Sequence, residues 1–503
     1  MSKSNQFEPF SAARFQRNQE KAKQLLAAYH EGDQTTINIF RKLVKGAKQD
    51  GYSPSVQEAR AIVSRQSTHV PKLHLGKLKK DAKDLLKNLK VRESQACLLL
   101  QDYHPKAEHV DAENCQLSDA QLILARTLGL PSWPALKAHV EAMTDAEHQL
   151  AMVKKSAEDF SEIHNPDGDC PTLHIRCGSD LKAALPTCGF SGDFLEVINP
   201  FPQGPVPPSE PLDNFVKIRE HFTQSHFAVY FSESAEKNLS TFRAEELALR
   251  NLPGKYQRIV LWVEHDAFDQ LCFAYILHHL VKLDLGNVQL ELVQIDRFPG
   301  VERFIGLGQL TVQPAAIRLL WQKRSRVSAK MIHFGYQVWQ AFTNASPMNL
   351  WKLQSQKHSP LPMMQHAMKR MLQELPWVNN GLSLTEQLIL SILQQDSPIP
   401  RHRLFLFLSS EADPQPFLGD IMCFIILDGL AQGPQAAIKQ MDSGNEHPSY
   451  ELTEIGRELL NEKGNWMNLS PKERWVGGVR VQAKAKNWCW NPVTNQPQYM
   501  VSS

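Results

Sequence analysis

The chain lacks any apolar run approaching the roughly 20 residues needed to cross a bilayer. Its longest candidate, residues 417–431, is broken by Asp420 and Asp428, so no membrane partner is expected. It lacks Cys-x-x-Cys pairs: Cys97, Cys115, Cys170, Cys177, Cys188, Cys272, Cys423 and Cys489 are scattered. That excludes the usual zinc-ribbon spacing and reads as reduced thiols. It has little net charge, +2 over 503 residues, which gives no global reason to expect a polyanionic partner. The opening Met1-Ser2-Lys3-Ser4-Asn5-Gln6 has no apolar stretch of the kind that marks a leader. The expectation is a cytoplasmic protein.

What is present is ordinary globular composition, 42% hydrophobic and 21% charged, spread over a length that calls for about three or four cores. The charge is uneven: the first hundred residues carry about +10 and the remainder about −8. Residues 1–150 read as a helical tandem-repeat module. Ala22-Lys23-Gln24-Leu25-Leu26 recurs as Ala82-Lys83-Asp84-Leu85-Leu86, and Ala61-Ile62-Val63-Ser64-Arg65 is echoed by Leu122-Ile123-Leu124-Ala125-Arg126. Each copy is read as a long amphipathic helix, a variable link and a second helix, neither copy burying its apolar stripe alone. Ser118 is read as an N-cap. The ending Gly129-Leu130-Pro131-Ser132-Trp133-Pro134 resembles helical modules that precede some bacterial ankyrin repeats. A protein partner on these helices is one expectation. The lysine row Lys72, Lys77, Lys79, Lys80, Lys83, Lys87 and Lys90 lacks interleaved aromatics and reads as a solvated face.

From about residue 171 the period changes. Thr172–Cys177, Phe194–Ile198, Arg258–Val263 and Val288–Ile295 read as strands alternating with helices, which predicts a mostly parallel, Rossmann-like sheet over 171–315. In such sheets ligands bind outside the carboxyl ends of the strands. Three turns are expected there. Gly178-Ser179-Asp180 offers helix-start amides and a hydroxyl to an anion. Glu264-His265-Asp266, with Asp269 one turn on, follows a buried apolar strand and concentrates carboxylates beside an imidazole. Glu264, Asp266 and Asp269 are candidate ligands for a divalent metal such as Mg, and His174, Glu264, His265 and Asp266 are candidate catalytic groups. Gly306-Leu307-Gly308 reads as a flexible loop that closes over a ligand.

Residues 316–381 read as a helical connector. Residues 382–503 read as a winged-helix-like domain opened by the Ser383-x-x-Glu386 capping box and closed by a β-hairpin around Gly477-Gly478. The helix within 417–431 carries two acids and no basic or amide side chains for a groove, so nucleic acid is not the expected partner. The fold class is therefore multidomain α/β plus α. Its candidate site takes a small anionic molecule or nucleotide. Metal-dependent phosphoryl or hydrolytic chemistry, ligand sensing without turnover, and DNA-binding regulation through the winged helix all stay open.

Leu173-His174-Ile175 with Gly178-Ser179-Asp180, Gly204-Pro205-Val206-Pro207, Trp262-Val263-Glu264-His265-Asp266 with Asp269-Gln270-Leu271, and Gly306-Leu307-Gly308-Gln309-Leu310 together resemble the bacterial family catalogued as domain of unknown function 1835. The resemblance runs on through Leu375-Pro376-Trp377, Gly381–Glu386 and Arg474–Val479, about two-thirds of the chain. In the family pattern the first turn reads Gly-Asp-Ser; here the hydroxyl and carboxylate are exchanged. The resemblance implies the architecture and the place of the site, and no reaction.

Overall fold

The computed structural model describes residues 12–49, 51–158, 165–230, 235–252, 254–441, 448–469 and 471–501. The opening Met1–Gln6 read above lies outside them. Among the described residues no helix is long and apolar enough to cross a membrane. The architecture is mixed α/β, with one five-stranded, mostly parallel sheet and several small sheets.

The N-terminal helices are α1 (Ala12–His30), α2 (Gln34–Leu43), α3 (Val56–Ser67), α4 (Leu75–Lys90), α5 (Ser94–Tyr103), α6 (Leu117–Thr127) and α7 (Trp133–Glu158). The sixty-residue echo has a packing counterpart. Ala22 and Ala82, Phe40 and Leu100, Ala59 and Ala120, and Ile62 and Ile123 are all buried. Each copy holds three helices rather than two, because the stretch expected as a link forms a helix of its own, α2 or α5. Ser118 is not the cap of α6. It sits inside the helix, and Gln116 is the N-cap, its amide donating to Asp119 at 2.7 Å. The lysine row along α4 is exposed.

The sheet follows: β1 (Thr172–Cys177), α8 (Asp180–Thr187), β2 (Asp193–Val197), α9 (Leu212–Phe227), α10 (Ala235–Arg250), β3 (Arg258–Glu264), α11 (Ala267–Leu280), β4 (Gln289–Ile295), α12 (Pro314–Gln322) and β5 (Ser325–Arg326). Strand order is β2-β1-β3-β4-β5, parallel except for β5. Every residue of β3 is buried, as expected for a continuous Ile259–Val263 apolar run covered on both faces. Ile259, Leu261 and Val263 pack toward α11, while Val260 and Trp262 pack toward α8 and α12. After β1 the chain moves outward to β2, then returns past β1 to β3. The reversal opens a crevice between the carboxyl ends of β1 and β3, where Cys177 and Glu264 end their strands.

The stretch expected as a helical connector also supplies β5. Its helices α13 (Ala329–Phe342), α14 (Met348–Gln354) and α15 (Pro362–Leu372) bury Phe334, Trp339 and Met368 in the same core as α11. Then come α16 (Leu384–Gln395), β6 (Ile399–Pro400), α17 (Arg401–Phe407), α18 (Asp420–Leu430), β7 (Ile438–Met441), β8 (Ser449–Leu452) and α19 (Glu454–Leu460). The three strands form one antiparallel sheet, β6-β8-β7. The Ser383 capping box is formed: Glu386 N donates to Ser383 Oγ and Ser383 N to Glu386 Oε2. The tail makes two hairpins rather than one, β9 (Arg474–Val476) with β10 (Val479–Val481) and β11 (Lys486–Asn491) with β12 (Gln496–Val501).

Buried ion pairs hold these parts on the sheet. The Arg60 guanidinium of α3 lies over the Phe407 ring and donates to Glu411 at 2.8 and 2.9 Å. Arg370 of α15 donates to Asp413 at 2.7 and 3.0 Å and also to Glu374. Gln415 donates to the His265 carbonyl. The segment 411–418 is thereby laid across the crevice end of the sheet.

Candidate functional site

At that end a cavity of about 770 Å³ is lined by three separate parts of the chain. Its floor holds Arg176, Cys177 and Gly178 from β1 and Glu264, Asp266 and Asp269 from β3 and α11. Lys45, Glu58 and Arg65 come from the N-terminal helices, and His402, Arg403, Phe405 and Phe417 from the C-terminal part. Apart from the floor, four of the five titratable side chains lining the space, Lys45, Arg65, His402 and Arg403, are basic.

Parallel register builds the floor. Arg176 pairs with Trp262, which puts its side chain beside the end of β3. There it contacts Glu264 and Asp269 and donates to Asp180 at 3.1 and 3.2 Å. Asp266 caps α11, accepting from Phe268 N at 2.8 Å and Asp269 N at 3.0 Å. Asp269 accepts from Glu264 N at 2.8 Å. Ligand oxygens of Glu264, Asp266 and Asp269 all lie within 4.8 Å of one another, and all three residues are buried.

Three buried carboxylates and the half-buried Asp180 thus face one guanidinium. Burial works against the Arg176 charge, but Asp269, Glu264 and Asp180 outweigh it and hold the group firmly protonated. Burial raises the carboxyls in turn. Glu264 is pushed well above the usual range, with Arg176 opposing and Asp269 adding to the shift. Asp269 is raised, Arg176 again opposing. Asp266 is pushed up to about 7 by burial and by Asp269. A cluster with more carboxylates than cations takes up protons, or takes up a second cation.

The other expected residues fall differently. Gly178 lines the cavity with φ of +81°, but its amide is spent on the Val197 carbonyl at 3.0 Å. Ser179 is exposed and Asp180 turns back to Arg176, and neither lines the cavity. The Gly306–Gly308 loop does not close over the cavity. It backs the floor: Leu307 N donates to Glu264 Oε1 at 2.6 Å, and a methyl group on Gly306 would collide with that carboxylate. Gly308 lies against Asp180. His265 points away, toward Phe304, and burial draws it down to about 4, followed by Arg303. It is neutral at pH 7 and off the cavity wall.

His174 is likewise no part of the cavity wall. It is fully buried beneath the floor, ringed by Phe190, Trp262 and Trp321. An indole N–H can only donate, so the Trp262 bond at 3.1 Å makes His174 Nδ1 an acceptor. Nε2 then donates to Asp167 at 3.0 Å. Asp167 also collects the amides of Ser191 and Gly192, and these bonds hold it at about 2 despite its burial. We expect His174→Ala to lower stability by about 2–4 kcal/mol through an unpaired aspartate and a cavity. Divalent-cation affinity is expected to change by less than about twofold, since the site is independent. Urea denaturation and calorimetric cation titration check both halves.

The residue that organises the site, Arg176, was not among those expected from sequence. An arginine inside a strand that the sequence marks as buried, two residues before a glycine turn, was the available signal. No protein-family model matches this chain, and no curated protein matches its sequence.

Proposed function

We propose that this cavity binds a phosphorylated small molecule, a nucleotide or sugar phosphate in class, through a divalent cation held by Glu264, Asp266 and Asp269. The reading rests on one observation: the acidic cluster and Gly178 line one cavity that Lys45, Arg65, His402 and Arg403 also line. Arg403 is partly committed, with Gln57 at 3.4 Å and Glu58 at 3.9 Å. Lys45 and Arg65 are exposed. A phosphate set between a Mg²⁺ ion and such a rim has its charge met on both sides. The cation would lower the pKa of a bound water and stabilise charge on the phosphoryl oxygens, which gives hydrolysis of the ester or anhydride as the reaction. Phe268, Phe405 and Phe417 offer the rest of the molecule apolar contact.

In the same reading the α/β part is Rossmann-like, 382–463 is a winged-helix unit, and the resemblance to domain of unknown function 1835 covers about two-thirds of the chain, including both. The helix α18 takes part in packing here. Met422 clusters with Phe222 and Phe227 of α9, which favours docking over DNA contact.

The experiment is a screen of nucleotides and sugar phosphates with Mg²⁺ or Mn²⁺, read as phosphate release and as thermal stabilisation. The expected result is cation-dependent release that EDTA abolishes. Stabilisation without release assigns the cavity to a ligand sensor, whose occupant would bridge three parts of the chain. Absence of any cation heat by calorimetry overturns the proposal.

A further inference from the structure

A second cavity, of about 580 Å³, lies on the far side of Phe417 and Leu418, which belong to the walls of both spaces. Its interior is apolar and comes from three elements: Ile218 and Phe222 of α9, Ile425 and Ile426 of α18, and Trp475 and Val476 of the β9–β10 hairpin. Its volume is that of a small-molecule site, where apolar walls and a few polar groups are the common pattern.

The charges on its wall are not balanced. The acids are already engaged. Glu374 accepts from Arg370 and from Thr385 Oγ1, Glu386 accepts from Ser383 N at 2.6 Å, and Glu473 pairs with Arg480 at 2.6 Å. Of the bases, Arg474 lies 3.8 Å from Glu386 and donates to the Glu374 carbonyl; the other four are not engaged by acids. Lys217, His221, His226 and Lys472 line the same space, and among the described residues none forms an ion pair. Burial lowers the His226 pKa, its bond to the Phe222 carbonyl opposes this, and the nearby Lys472 and His221 lower it further. An apolar chamber edged by the unpaired ammonium groups of Lys217 and Lys472 matches a ligand with an apolar body and an anionic end.

We infer that the cavity between α9, α18 and the β9–β10 hairpin is a binding site for an apolar carboxylate, an acyl or aryl chain whose carboxylate sits among Lys217, His221 and Lys472. The site is distinct from the acidic cavity and does not depend on a metal.

Octanoate, 1-octanol and acetate serve as probes for the full chain in EDTA, which keeps the outcome separate from that of the acidic cavity. Calorimetry is expected to show octanoate binding below about 1 mM, with acetate and octanol each weaker by roughly tenfold or more. The double variant Lys217→Glu, Lys472→Glu is expected to weaken octanoate roughly tenfold and leave octanol unchanged. Ile218→Trp, which fills the chamber, is expected to remove both; circular dichroism establishes that each variant is folded. Octanoate without measurable heat overturns the inference. So does octanoate that binds the charge-reversed variant as tightly as the wild type, or the filled variant as tightly as the open one.

Discussion

Arg176→Gln will destabilise the α/β core by about 3–5 kcal/mol at pH 8, the cost of leaving buried charges without their partner. Arg176 is 4% exposed and spans Glu264, Asp269 and Asp180. Glutamine keeps part of the volume and none of the charge. The loss has a pH signature. In the wild type Glu264, Asp266 and Asp269 already have raised pKa values; Arg176 is the main group opposing this for Glu264 and Asp269, and for Asp266 it adds to the hydrogen bonds from the Asp269 amide and Glu264. Without it they rise further. A carboxyl whose folded pKa lies above its unfolded value contributes stability while protonated and loses it as pH climbs through the folded value. The variant should therefore be weakest above pH 7 and recover as pH falls toward 5. Mn²⁺ should also restore it in part, by supplying the missing positive charge. Urea midpoints at pH 5.5 and pH 8, with and without Mn²⁺, read all three effects. An equal loss at both pH values would mean that packing, and not charge, is what Arg176 supplies. Arg176→Lys should restore little, because an ammonium cannot span three carboxylates as a planar fork does.

That Arg176 escaped the sequence reading has a physical reason. Its partners Glu264 and Asp269 lie 88 and 93 residues away, and only the parallel pairing of β1 with β3 brings them together. The strands themselves were legible, because Ile259–Val263 is an apolar run that only a buried central strand accommodates. The acidic turn was legible because it follows that run and carries more carboxylate than one helix cap uses. The basic rim was not. Lys45, Arg65, His402 and Arg403 look like solvated surface until the Arg60–Glu411 pair docks the two ends of the chain over the sheet. Gly306 and Gly308 illustrate the opposite error. Glycines in a loop suggest movement, whereas here they let the backbone come close to the carboxylates of Glu264 and Asp180. His174 looked reactive because a strand histidine near a glycine turn gives no sign in sequence of the Trp262 and Asp167 bonds that occupy both its nitrogens.

Asp266→Asn tests the site from the other side, since stability and binding should move in opposite directions. Asparagine is a good N-cap, so its carbonyl oxygen can keep the bonds from Phe268 N and Asp269 N that open α11. What disappears is a charge buried beside Glu264 and Asp269. The wild-type carboxyl has its folded pKa at about 7, against an ordinary value of 3.8. Its protonated form thus stabilises the fold fully below pH 4, and that contribution drains away between pH 4 and pH 7. The variant has no such loss. Its advantage over the wild type should be absent at pH 4, grow through that window and level off above pH 7 at a few kcal/mol or less. The same substitution removes one of three carboxylate donors from the cation cluster, so affinity for Mn²⁺ should fall at least about tenfold. A saturating ion that raises the wild-type melting temperature at pH 8 should then leave the variant almost unmoved. Thermal melts at pH 4, 6 and 8 with and without Mn²⁺ give both readings in one series. A variant that gains stability and keeps its response to the ion would place the cation elsewhere. A variant that gains nothing at pH 8 would mean that the Asp266 charge is already compensated, and the case for a cluster short of positive charge would fall with it.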